Sequence, residues 1–107
     1  MTKTPLKSLS PAAMELVASR FRALGEVSRL QLIHELQSGE KNVSELVERT
    51  GLSQPNVSRH LGLLVTAGLI GRRKEGLNVL YRVIDESVAE LCSIVCKSVA
   101  PGTKRGR

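Results

Sequence analysis

The chain has no tryptophan, one tyrosine (Tyr81) and one phenylalanine (Phe21). Proteins that hold single-stranded nucleic acid stack its bases on aromatic side chains, and two rings cannot build such a platform. Two cysteines, Cys92 and Cys96, cannot form a disulfide framework. Two histidines, His34 and His60, cannot form a histidine-rich metal cluster, and neither has an evident acid–base partner. No Ser/His/Asp set and no phosphate-cradling glycine loop occurs, which argues against an enzyme. Long hydrophobic runs are also missing. The longest, 61–70, is broken by Gly62, Thr66 and Gly68, so no segment suits a membrane span. The first 20 residues hold no apolar run of signal-peptide length, and the chain reads as cytoplasmic.

What is present is a small basic chain. Its 107 residues suit one domain with a modest core, for which support from a second subunit is expected. Sixteen Lys and Arg face ten Asp and Glu, a net charge of +6 that favours an anionic partner. With so few aromatics, duplex DNA is the better candidate. Placement of the charge says more than its total. Residues 52–82 hold five cations and one acid, whereas 83–96 hold three acids and no cation. Residues 1–9 and 100–107 read as flexible tails, the second one basic, around a domain at 10–99.

Helical spacing and punctuation divide the domain. Ser10-Pro11 is an N-cap with proline at the first helical position, followed by Met14, Val17, Phe21 and Leu24 on one face. A second helix is expected over 26–37, with Leu30, Ile33 and Leu36 inward. Asn42 and Glu45 have capping-box spacing and open a short third helix that stops at Gly51. Ser53 caps a fourth helix over 54–67, with Val57, Leu61 and Leu64 on its apolar side. Gln54, Asn56, Ser58, Arg59 and part of His60 then face outward. A short helix, a glycine turn and a second helix with a polar N-terminal face make a helix-turn-helix. Residues 69–74 and 79–83 read as two strands joined by a turn at 75–78, a basic wing carrying Arg72, Arg73 and Lys74. Asp85 caps a last helix over 86–98, with Val88, Leu91, Val95 and Val99 apolar. The fold class is mainly α with a small β-hairpin: a winged helix-turn-helix of about five helices and a two-stranded wing, dimeric.

The chemistry of the outward face suits duplex recognition. Asn and Gln pair bidentately with adenine, Arg with guanine, and Ser reaches bases or phosphates. Gln54, Asn56, Ser58, Arg59 and His60 supply those groups on one surface. Arg72, Arg73 and Lys74 suit phosphates or the minor groove. The competing reading for each residue is a solvated helix face, and for His60, packing against the wing. An architectural binder would use the same face with little sequence preference.

The run Phe21-Arg22-Ala23-Leu24-Gly25-Glu26-Val27-Ser28-Arg29-Leu30 resembles the opening signature of the ArsR/SmtB family of winged-helix repressors. Val43-Ser44-Glu45-Leu46, the run from Leu52 to Leu61, Ala67-Gly68-Leu69-Ile70 and Tyr81-Arg82-Val83 continue it over residues 14–99. The resemblance implies a homodimer through the first and last helices. It also implies an inverted-repeat operator and release by an inducer. It aligns Gln54, Pro55, Ser58 and Arg59 with positions that touch DNA. Glu26-Val27 replaces the common Asp-Pro, a change of capping.

The resemblance also defines what is missing. The family's cysteine pair at the start of the third helix is replaced by Asn42 and Ser44, and the last helix has Asp85, Glu86 and Glu90 but no histidine. That leaves Cys92 and Cys96, four residues apart on neighbouring turns of one helix. Soft thiolates select soft metals and metalloids. Trivalent arsenic or antimony is the expected inducer, with a third thiolate from the partner subunit or a small thiol. No resident cofactor is required. Two alternatives stand beside this: redox or sulfur sensing through the same thiols, and cysteines that only pack.

Overall fold

A computed structural model describes residues 9–99, so the expected tails lie outside the described residues except for Leu9. The order is α1 (Pro11–Leu24), α2 (Val27–Leu36), α3 (Val43–Thr50), α4 (Gln54–Thr66), β1 (Ile70–Glu75), β2 (Asn78–Val83) and α5 (Glu86–Ser98). Among the described residues, five helices and a two-stranded antiparallel hairpin agree with the expected winged helix-turn-helix. Among the described residues no helix is long and apolar enough to cross a membrane.

Local chemistry sets the boundaries. The Ser10, Asn42, Ser53 and Asp85 side chains each accept a backbone N–H from the first turn of the helix that follows. Asn42 and Glu45 complete the capping box, at 2.8 Å in both directions. Glu26 is the N-cap of α2, accepting from Arg29 N at 3.1 Å, so the Glu-Val substitution does preserve a cap. Gly51 leaves α3 at φ +78°, a left-handed conformation that glycine adopts without a Cβ clash. That turn sets the angle between α3 and α4.

The core lies between α2, α3 and α4 and is closed by the base of the wing. Leu32, Ile33, Leu46, Val57, Leu61, Leu64 and Leu69 are completely buried. Leu30 corrects the expected pattern of α2. It is exposed, and Leu32 occupies the core beside Ile33 and Leu36. The two leucines lie about 200° apart around the helix axis, so only one can face α3 and α4.

The strands pair from Ile70↔Val83 to Glu75↔Asn78, leaving Gly76-Leu77 as a two-residue loop tighter than expected. A further bridge joins Lys41 to Tyr81 through N–H···O bonds of 3.1 and 2.9 Å. The wing is thereby anchored to the segment between α2 and α3. One isolated residue pair has no periodicity, so the sequence carried no signal for it.

Two helices keep apolar faces uncovered. Met14, Leu16, Val17 and Phe21 of α1 are exposed, as are Ile94, Val95 and Val99 toward the end of α5. Within the protomer, only Leu24 of α1 and Val88 of α5 are buried.

Candidate nucleic-acid interface and thiol groove

α4 buries Val57, Leu61 and Leu64, which turns Gln54, Pro55, Asn56, Ser58 and Arg59 to the surface. Arg59 Nη2 donates to Asn56 Oδ1 at 3.2 Å, so these two groups are held one turn apart on the exposed face. His60 does not belong with them. It is 4% exposed, the one buried polar residue among the described residues. Sequence spacing left it at the margin of the outward face. Here it turns toward the α1–α2 corner and not toward the wing.

That corner is built around Arg29. Its Nε donates to Ala23 O at 2.6 Å and Nη2 to Arg22 O at 3.3 Å, closing the C-terminus of α1. Its Nη1 lies 3.3 Å from His60 Nδ1. Arg59 Nη2 lies 3.5 Å from His60 Nε2, and since a guanidinium can only donate and a neutral imidazole has one acceptor nitrogen, His60 accepts from one of the two arginines, Arg29 being the shorter contact. Glu26 Oε1 lies 3.9 Å from that Nε2. Burial holds the His60 pKa below its ordinary value. Arg59 and Arg29 add to this, and Glu26 opposes it. The buried imidazole fixes α4 against α1 and α2 and contributes no donor to the outer face.

The wing cations divide as well. Arg72, Arg73 and Lys74 are all exposed. Arg73, however, makes a bidentate pair with Glu40, Nε to Oε2 at 2.9 Å and Nη2 to Oε1 at 2.8 Å. Arg82 adds a 3.9 Å contact to the same carboxylate. The Arg73 hydrogen bond holds the Glu40 carboxyl below the usual range. Glu40 immediately precedes the Lys41 bridge, so this pair is a second fastening of the wing. Arg72 and Lys74 lie on the opposite face of the hairpin, paired in register with Tyr81 and Val79.

The cysteines line a groove of about 380 Å³ between α5 and the α1–α2 region. Its walls are apolar, from Phe21, Leu24, Leu30, Leu91, Val95 and Val99, with His34 at the edge. Cys92 is half-buried and Cys96 exposed. Burial pushes the Cys92 thiol up, and Cys96 adds to the shift. Among the described residues no three His, Cys, Asp or Glu groups gather closely enough to hold a metal ion. One protomer therefore offers two thiols. His34 was absent from the expected site, and its share in the groove wall comes only from the packing of α2 against α5.

Residues 26–71 match the model of the arsR family of bacterial regulatory proteins. A probable mercury resistance operon repressor of Streptomyces lividans is 44% identical over 71 residues, 66% of this chain and 57% of its own length. The chain thus spans less than two thirds of that relative. The biofilm growth-associated repressor of Agrobacterium fabrum is 34% identical over 87 residues, 81% of this chain and 74% of its own. The solution structure of a homodimeric winged helix-turn-helix DNA-binding domain from Mycobacterium bovis superposes with a TM-score of 0.77 at 27% identity, covering 100% of both chains. The kinship is with regulators and not with enzymes, as expected. By sequence and by fold, the chain belongs to the ArsR family of bacterial regulatory proteins.

Proposed function

We propose that the chain is a cytoplasmic homodimeric repressor that binds an inverted-repeat operator and is released by a thiophilic metal or metalloid held by Cys92 and Cys96. One observation carries the DNA half of the reading. The exposed N-terminal face of α4 offers Gln54, Asn56, Ser58 and Arg59 next to a wing that presents Arg72 and Lys74. Pro55 sits in the first turn, where it costs no hydrogen bond. The uncovered apolar faces of α1 and α5 support the dimer, as does the homodimeric structural relative. A dimer brings two recognition helices to half-sites one DNA turn apart.

The sensing half rests on two thiols four residues apart, lining a groove on one of those helices. Soft ions displace thiol protons and bind thiolate. A relative named for mercury resistance agrees with that preference. Mercury(II) is satisfied by two thiolates, whereas trivalent arsenic or antimony needs a third, from the second subunit or a small thiol. Release is a population shift: the ion favours an arrangement of the dimer in which the recognition helices no longer match both half-sites.

A gel shift with the region upstream of the protein's own gene tests both halves, against arsenite, antimonite, mercury(II), zinc, cadmium and polysulfide. Ser58→Ala combined with Arg59→Ala should abolish the shift, and retained affinity would remove the site assignment. Cys92→Ser should bind DNA normally and resist release. A variant that is released normally makes the thiols packing groups. Release by polysulfide alone moves the function to sulfur or redox sensing.

A further inference from the structure

We infer that Arg20 couples α5 to the recognition helix, a role that rests on the reading of α4 as the DNA-binding element. Arg20 projects from α1 into the junction of three elements. Its Nε donates to Ala67 O, the C-cap residue of α4, at 3.2 Å. Its Nη1 lies 3.2 Å from Asp85 Oδ2. Asp85 is the N-cap of α5, and its other oxygen accepts from Ser87 N at 3.1 Å, Ser87 Oγ at 2.6 Å and Val88 N at 3.4 Å. One rigid, planar guanidinium therefore joins the end of α4 to the start of α5. Gly68 leaves room for it, since a Cβ there would lie 3.2 Å from Arg20 Nη2.

The lever works from both helices. Gln37 Nε2 donates to Ala89 O at 3.1 Å and ties α5 to the end of α2 between Asp85 and the cysteines. A displacement of the Cys92–Cys96 end pivots α5 there and moves Asp85 in the opposite sense. Asp85 pulls on Arg20, and Arg20 holds the C-terminal end of α4. That helix spans 13 residues, so a tilt of about 5° at its C-terminus moves its N-terminus by about 1.5 Å. A shift of that size takes a hydrogen bond to a base edge out of range. Arg20 lies neither on the outward face of α4 nor in the wall of the thiol groove and acts as a positioning residue.

Arg20→Gln and Asp85→Asn test the coupling. Asparagine remains a good N-cap, so the second variant keeps α5 while removing the ion pair. Two quantities are measured on the full chain with the same operator duplex. The first is the ratio of operator Kd with and without mercury(II). The second, which needs no inducer, is the change in amide hydrogen exchange of residues 86–98 when duplex is added. The wild type should show a ratio of about 5–150-fold and altered exchange in α5. Both variants should keep operator affinity, drop the ratio below about fivefold, and lose the DNA-dependent exchange change. Variants that melt lower but retain both signals reduce Arg20 to a structural contact and overturn the inference. A wild type that binds duplex but ignores mercury removes mercury(II) as the inducer, and the exchange measurement then decides the coupling. A wild type that binds no duplex defeats the functional reading and this inference with it.

Discussion

The division of labour in the wing predicts how operator affinity depends on salt. Each phosphate neutralised on duplex DNA contributes about −0.9 to the slope of log K against log salt. Arg59, Arg72 and Lys74 are exposed with no acidic partner among the described residues, while Arg73 is occupied by Glu40. In a dimer these three cations of the recognition face and wing, counted per protomer, give six phosphate contacts and a slope of about −5. Between 50 and 200 mM salt, affinity should fall by about 10³-fold. Lys74→Ala removes one contact per protomer, making the slope shallower by about 1.8 and the fall nearer 10²-fold. Glu40→Gln frees Arg73 for phosphate and should make the slope steeper by about 1.8. Fluorescence anisotropy with a labelled operator duplex at four or five salt concentrations gives the slopes. The reasoning fails if Glu40→Gln leaves the slope unchanged while Arg73→Ala lowers it as much as Lys74→Ala does. Arg73 would then already be on the DNA despite its carboxylate.

Three further outcomes are expected. Leu61→Ala, at a completely buried position between α2, α3 and α4, should cost about 3–5 kcal/mol in chemical denaturation, and a loss below about 1 kcal/mol would contradict this core. Phe21→Glu or Val95→Lys places a charge on the uncovered α1 or α5 face and should yield a monomer in sedimentation, with operator affinity lost. His60 is held below its ordinary value of 6.5 among Glu26, Arg29 and Arg59, so the folded protein binds that proton less readily than the unfolded chain. Its stabilisation is complete above about pH 6.5 and is lost as pH falls toward the folded value. The melting temperature should therefore drop between pH 7 and 5 in the wild type, and a drop of equal size in His60→Gln would rule this out.

Much of this was legible in the sequence because the signals are local. Caps at Ser10, Asn42, Ser53 and Asp85 and the glycine after α3 act within four residues of where they stand. The outward chemistry of Gln54, Asn56, Ser58 and Arg59 follows from the spacing of Val57, Leu61 and Leu64 alone. Leu30 and His60 were misjudged for a shared reason. Each sits at the edge of an apolar stripe, where periodicity leaves about half a helical face undecided. Which way such a residue turns depends on the neighbouring helix.

The long-range polar contacts had no local signature at all. Glu40 and Arg73 are 33 residues apart, Arg29 and His60 are 31, and Arg20 and Ala67 are 47. The sequence by itself determined the element order, the helix-turn-helix and the family signature, because hydrophobic period and capping residues act over a turn or two. Only the tertiary structure decided which wing cation is paired with a carboxylate, which histidine is buried, and which arginine ties α5 to α4. Those outcomes depend on charged groups meeting across the fold, and only the packing of distant segments brings them within 4 Å.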